Sequence, residues 1–211
     1  MKLVDRDYEI FREVERWRFC LGRHIRALAD FSGQRACDRR LRVLIGARFI
    51  ERRKVIYGVP SVYSLAHSGK MLIGANKRQD KVRLDNIAHD IAVLDTGIYF
   101  ITKLQIPKGN IVTEKQLHSN KGFGTRRHEP DFTFAKDDKT YCVEIELSLK
   151  SIARLEKNIK SNYLAYDFQI WVIGESTPKL PSLLEEFKKE YDNIIITSMK
   201  EIRNDEFRID N

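Results

Sequence analysis

From Asp5 to Trp17 the apolar residues Tyr8, Phe11, Val14 and Trp17 recur at steps of three and share one face, which predicts an amphipathic helix. Arg23 to Phe31 predicts a second helix with Ile25, Leu28 and Ala29 inward, and Phe31-Ser-Gly-Gln34 reads as a short turn between crossing helices. A third helix, from Gln34 to about Ala47, sets Leu41, Leu44 and Ile45 on its core side and Arg35, Arg39, Arg40 and Arg42 on its polar side. Phe49 to Gly58 and Ser61 to Leu65 then alternate at a period of two around a Gly-Val-Pro turn, as hairpin strands do. Ala66 to Lys70 ends this region, with His67 as a turn or helix-start residue, and Asn76 to Asp85 is a polar link. The domain boundary is placed there, giving residues 1–78 and 79–211.

The second region alternates differently. Leu84, Ile87, Ile91 and Leu94 predict a helix to about Thr96, followed by a strand or helix end from Ile98 to Gln105. Thr113-Glu-Lys-Gln116 has the pattern of a helix N-terminus, with Thr113 as cap. Between Arg126 and Ser151 lies a predicted β-hairpin, with Asp131 opening one strand, Lys136 to Lys139 turning the chain and Tyr141 to Leu147 returning. Ser151 is expected to cap a helix reaching about Tyr166, with Ile152, Leu155, Ile159 and Tyr163 buried. Phe168 to Ile173 and Ile194 to Thr197 are continuous apolar strands flanking a helix from Pro181 to Tyr191, and no ordered element is predicted after Met199. Continuous apolar strands alternating with helices imply an α/β (α+β) domain, a mixed sheet with helices on both faces.

Charge divides the chain in the same place. Residues 1–78 carry 18 Lys/Arg against 8 Asp/Glu, net +10, whereas residues 79–211 carry 20 against 22, net −2. A basic excess confined to one part points to a polyanion partner for that part. Three helices and a basic hairpin, in that order, predict a winged helix-turn-helix. In that geometry the third helix enters the DNA major groove, so Arg35, Arg39, Arg40 and Arg42 become base-reading candidates. Arg52, Arg53 and Lys54, on the wing, suit phosphate contacts. The alternative is a protein-binding winged helix whose arginines form a solvated face.

Candidate chemistry sits on the acidic hairpin. Residues two apart on a strand share a face, so Glu144 and Glu146 stand side by side, and Asp131 on the partner strand can approach them. Converging carboxylates repel and lose water, a cost that a bound cation removes. Oxygen ligands without His or Cys favour Mg²⁺ or Mn²⁺ over Zn²⁺. Lys150, four residues past Glu146, is placed to touch a phosphate or an attacking water. The competing reading makes Glu144 and Glu146 the wet face of an edge strand and Asp131 a turn cap. The five histidines are scattered without a His-x-His pair, and Lys121-Gly-Phe-Gly124 has no phosphate-cradling pattern. Cys20, Cys37 and Cys142 have neither C-x-x-C nor zinc spacing, which suggests a reducing compartment, and no run is long enough to span a bilayer. A cytoplasmic protein without membrane insertion is expected.

Pro130-Asp131 followed thirteen residues on by Glu144-Ile-Glu146 resembles restriction-endonuclease-like nucleases of the PD-(D/E)xK type, in which Asp131 and Glu144 would bind metal. Glu146 stands where that family usually has Lys, leaving open whether Lys150 takes the lysine's role. Adding Arg-Arg-Leu-Arg-Val-Leu, Gly-Val-Pro-Ser-Val-Tyr-Ser-Leu, Thr-Glu-Lys-Gln-Leu and Arg-His-Glu-Pro-Asp, the chain from residue 5 to about 197 resembles plasmid mobilisation and replication-relaxation proteins, most closely the MobC class of relaxases. The resemblance implies a metal-dependent endonuclease that binds and nicks an origin of transfer. Asp131, Glu144 and Glu146 would be at the metal, Lys150 at the reacting phosphate, and Glu114, His128 and Glu129 nearby. Its partners would be the origin DNA, other relaxosome proteins and a conjugative coupling protein. A non-catalytic DNA-binding accessory of plasmid replication and transfer stays open as the alternative, as does a nuclease subunit of a transposition or restriction system.

Overall fold

The computed structural model describes residues 2–55, 57–76, 82–120, 128–148 and 151–209, with Asn120 as backbone only. They form a mixed α/β chain that separates into two compact units, Met1–Ala88 and His89–Asn211.

In the first unit, α1 (Asp5–Arg16) leads through β1 (Cys20–Leu21) into α2 (Gly22–Leu28) and α3 (Gln34–Gly46). Strands β2 (Ile50–Arg53) and β3 (Val62–Leu65) follow, then α4 (His67–Leu72). The sheet order is β1-β3-β2, both pairings antiparallel, with Ile50 opposite Leu65 and Arg53 opposite Val62. Phe11, Val14, Ile25, Leu28, Leu41 and Leu44 are buried, so the apolar stripes of the three helices do meet one core. Strand β1 was not expected: two residues carry too little pattern to announce a strand, and tertiary pairing with β3 makes it. His67, read as a turn or helix-start residue, is the first residue of the six-residue helix α4. Gly69 lets it sit against the loop before β2, because a Cβ there would fall 2.3 Å from the carbonyl oxygen of Phe49.

All but the first two residues of α5 (Ile87–Thr102) belong to the second unit, and this one helix takes in most of the predicted helix and of the ambiguous segment after it. Next come β4 (Val112–Thr113) and α6 (Glu114–Asn120), where Gln116 Oε1 accepts the Thr113 N–H at 3.0 Å, the return half of a capping box. Strands β5 (Phe132–Lys136) and β6 (Lys139–Glu146) form the hairpin. Asp137 and Asp138 both have positive φ, 51° and 58°, giving the two-residue turn whose twist matches the strands. After α7 (Ile152–Tyr163) come β7 (Phe168–Ile173), α8 (Leu180–Lys188), β8 (Ile194–Ser198) and α9 (Met199–Arg203). The sheet order is β4-β5-β6-β7-β8, antiparallel up to β6 and parallel beyond it.

Helices cover both faces of this sheet. On one face, Phe100 of α5 meets Phe132 and Phe134 edge-on, with centroids 5.6 and 5.2 Å apart, and Phe134 stacks on Tyr141. On the other, Leu155 and Ile159 of α7 and Leu180 and Leu184 of α8 bury Trp171, Ile173 and Ile194. Two expectations fail here. Ile152 and Tyr163, read as core, are 58% and 40% exposed, and Asn158 and Asn162 take inward positions alongside Leu155 and Ile159. The segment after Met199 is ordered: Ser198 and Glu201 cap α9 reciprocally, and Phe207 packs on Phe100 while its carbonyl accepts the Tyr99 hydroxyl at 2.7 Å. The three cysteines are free and buried. Among the described residues no helix is long and apolar enough to cross a membrane.

Candidate functional site

The alternation of β6 decides which side chains meet. Tyr141, Val143 and Ile145 face α5, so Cys142, Glu144 and Glu146 face α7, in register with Gln169, Trp171 and Ile173 of β7. Both glutamates are only 3% exposed, which overturns the reading of a wet edge strand. A buried ionised carboxylate costs several kcal/mol unless it is answered by hydrogen bonds or charge. For Glu144, Oε1 accepts the Asn162 amide at 2.9 Å and shares a short hydrogen bond with His128 Nε2. Burial pushes the Glu144 carboxyl above its ordinary value, the His128 bond opposes this, and the nearby charge of Asp131 pushes it further up.

Asp131 sits just before β5. Its backbone N–H donates to Val143 O at 3.1 Å and its carbonyl accepts the Glu114 N–H at 2.9 Å, which pins it between β6 and the start of α6. Its carboxylate Oδ2 accepts the Ile145 N–H at 2.8 Å and lies 3.4 Å from His89 Nε2, which donates to Ile145 O at 3.1 Å. Burial pulls His89 down, but the hydrogen bonds to Asp131 and Asp90 outweigh it and hold the imidazole up at about 10. His89 is therefore an imidazolium at neutral pH, a fixed positive charge beside Asp131. Burial, with Cys142, Glu129 and Glu144 adding to it, likewise raises the Tyr166 phenol to about 12, leaving it a neutral hydroxyl at the rim of the cluster.

The structure thus brings together Asp131, Glu144 and His128 and adds His89 and Asn162. Glu129 is buried beside them at 8% exposure, and Glu146 lies one strand step from Glu144 on the same face. The Glu114 side chain turns instead to His118, 3.5 Å away. Lys150 lies outside the described residues, as do Arg126, Arg127 and the Lys121 to Gly124 loop. Among the described residues no group of three or more His, Cys, Asp or Glu side chains is gathered closely enough to hold a metal ion, so the expected trio of Asp131, Glu144 and Glu146 is not assembled as a cage. The donor set nonetheless fits a hard divalent cation. Mg²⁺ is commonly held by one or two carboxylates, with waters and substrate phosphates completing its shell. Asp131 and the buried Glu144 are such a pair, close enough that one raises the other.

In the first unit Arg35, Arg39 and Arg42 are exposed along α3, and Arg52, Arg53 and Lys54 are exposed at the end of β2. Arg53 is paired with Glu51, and Lys54 lies 5.6 Å over the ring of Tyr57. Arg40 is held differently. Its Nε donates to Asp7 Oδ1 at 2.6 Å, its Nη2 to Asp7 Oδ2 and, at 3.2 Å, to Lys2 O. Asp7 is fully buried, and Arg40 is engaged in neutralising it.

Sequence reasoning missed both Asn162 and His89. The signal for Asn162 was present: residues 155, 158, 159 and 162 form one helical stripe, and two asparagines within it, Asn158 and Asn162, need buried partners. For His89 there was no comparable signal, since its contact with Asp131 depends on how α5 meets the strand end. Comparison of the chain with protein-family models, with curated proteins and with solved structures finds no match.

Proposed function

We propose that the chain is a metal-dependent DNA endonuclease, with the first unit as a winged-helix DNA reader and the second as a restriction-endonuclease-like catalytic unit. The observation that carries this reading is the pairing of Asp131 with the buried Glu144 across two neighbouring strands, where the sheet changes from antiparallel to parallel. A buried carboxyl raised above its ordinary value beside a second acid, as Glu144 is, belongs to the kind of group that concentrates at functional sites. Support also comes from the order helix α5, strand β4, helix α6, hairpin β5–β6, helix α7, strand β7, which sets the acidic hairpin in a mixed sheet between helices.

In this reading Asp131 and Glu144 hold Mg²⁺ or Mn²⁺, which when bound supplies positive charge at the scissile phosphate and acidifies water. The protein's own contribution is placement. Asn162 and His128 fix the orientation of Glu144, and the Ile145 N–H and His89 fix that of Asp131. Arg35, Arg39 and Arg42 read base edges and Arg52, Arg53 and Lys54 hold phosphates, with Arg40 removed from the reading set. The proposed substrate is a plasmid origin of transfer, nicked on one strand in the cytoplasm with relaxosome proteins and a coupling protein as partners.

One observation favours a second reading, a non-catalytic DNA-binding accessory: Glu144 and Asp131 already have partners within the protein. The test is incubation of the full chain with supercoiled plasmid carrying its transfer region, with Mg²⁺ or Mn²⁺ and with chelator. Open-circular product that requires metal supports nicking, and linear product means double-strand cutting. Binding without cleavage under any metal condition selects the accessory reading.

A further inference from the structure

A cavity of about 510 Å³ lies wholly within the first unit, between α2, α3 and the β2–β3 hairpin. That volume is within the range of small-molecule sites, roughly 300–1,000 Å³. Leu41, Ile45 and Tyr63 give it an apolar and aromatic floor. Four arginines line it, Arg23 and Arg26 from α2, Arg42 from α3 and Arg52 from β2, against the single acid Asp38, a net lining charge of +3. Burial holds the Tyr63 phenol above its ordinary value, with Arg52 opposing the rise and Asp38 adding to it.

Contact with a duplex backbone needs cations on an outward surface, but not a concave apolar floor beneath them. A floor of this kind matches a ligand with a flat, weakly polar body as well as negative charge. Arginine suits both parts, since its planar guanidinium stacks on aromatic faces and takes phosphate oxygens two at a time. The four arginines come from three different elements, α2, α3 and β2, so a phosphate group bound there has several guanidinium donors to draw on.

We propose that this cavity binds a nucleoside phosphate, with the base against Leu41, Ile45 and Tyr63 and the phosphate on the arginines. The nucleoside phosphate is either a free nucleotide or a nucleotide extruded from bound DNA, which share this chemistry. Binding of a free nucleotide is independent of the carboxylate site. Its consequence for DNA rests on the reading of α3 and the wing as DNA contacts, because Arg42 and Arg52 would be shared and the nucleotide would compete with DNA.

The test titrates the full chain with fluorescent N-methylanthraniloyl ATP and GTP, with tripolyphosphate as competitor. In parallel, duplex oligonucleotides carrying 2-aminopurine at successive positions report an extruded base. Arg26→Ala and the cavity-filling Ile45→Trp are the variants, with circular dichroism confirming that each is folded. The result expected is sub-millimolar nucleotide binding, or a 2-aminopurine fluorescence rise at one position. Either signal weakens about tenfold in Arg26→Ala, and tripolyphosphate competes at least that much more weakly than nucleotide. The first signal identifies a free nucleotide, the second a unit of the DNA. Silence from both probes, tripolyphosphate competing as well as nucleotide, or signals unchanged in both variants overturns the proposal. Duplex affinity measured in the same samples keeps the two claims apart: intact duplex binding with silent probes defeats only the cavity, and absent duplex binding defeats the DNA reader while the nucleotide titration still decides the cavity.

Discussion

Removing the Arg40 side chain separates the structural arginine of α3 from those proposed to read DNA. In Arg40→Ala the fully buried Asp7 keeps the Val4 N–H at 2.8 Å but loses both guanidinium bonds. Stripping one partner from a buried ion pair costs about 3–5 kcal/mol, because the remaining charge is uncompensated. Arg40's side chain is 24% exposed, so water can partly replace it and the lower end, about 3 kcal/mol, is expected. With a urea m-value of about 1.5 kcal/mol/M, the unfolding midpoint of the first unit falls by about 2 M. The chain has two tryptophans, Trp17 in the first unit and Trp171 in the second, so a shared Trp171→Phe background lets fluorescence follow the first unit. In the same background Arg39→Ala, an exposed residue, shifts stability by less than about 0.5 kcal/mol while weakening DNA binding. Asp7→Asn combined with Arg40→Ala recovers part of the loss, since no charge is left stranded. The reasoning is refuted if Arg40→Ala unfolds at the wild-type urea concentration and yet loses DNA affinity, which would make Arg40 a direct contact.

Three further outcomes follow from the geometry. Asn162→Ala leaves buried Glu144 short of one donor and is expected to lower the stability of the second unit by about 1–3 kcal/mol, read from urea unfolding followed through Trp171. Gly69→Ala drives a methyl into the Phe49 carbonyl and should cost about 1–3 kcal/mol in the first unit, whereas Gly74→Ala, with open space around it but a φ of +65°, is opposed by backbone strain alone. At the α9 cap, burial raises the Glu201 carboxyl but the Thr197 hydroxyl and the Ser198 N–H and hydroxyl hold it below its ordinary value overall. Its stabilisation is therefore present above the ordinary carboxylate range and is lost as pH falls through the lowered value, so amide exchange in α9 should accelerate in acid, and Glu201→Gln should flatten that dependence.

Much of the architecture was legible because burial and periodicity agree. Phe168–Ile173 is apolar but for Gln169, and it folds at those bounds as a parallel strand. The hairpin's two glutamates were readable as sharing a face, but not which face, and the choice between wet and buried was made by α7 packing over them. Ile152 misled because it satisfies the helical period from the first turn of α7, beyond the reach of the sheet. Asn162 was passed over because polarity was taken as exposure. The sequence could place Arg40 among the arginines of α3 but not foresee Asp7, thirty-three residues earlier, waiting for it in the core.

The central claim is that Asp131 and Glu144 together support metal-dependent strand cleavage, and Glu144→Gln tests it most directly. The substitution keeps the shape of the side chain and removes its charge. Initial rates of supercoiled plasmid conversion are measured in Mn²⁺ for wild type and variant, with DNA affinity determined on the same preparations. The account predicts a rate at least about a hundredfold lower with DNA affinity unchanged. A variant that cleaves at the wild-type rate contradicts it.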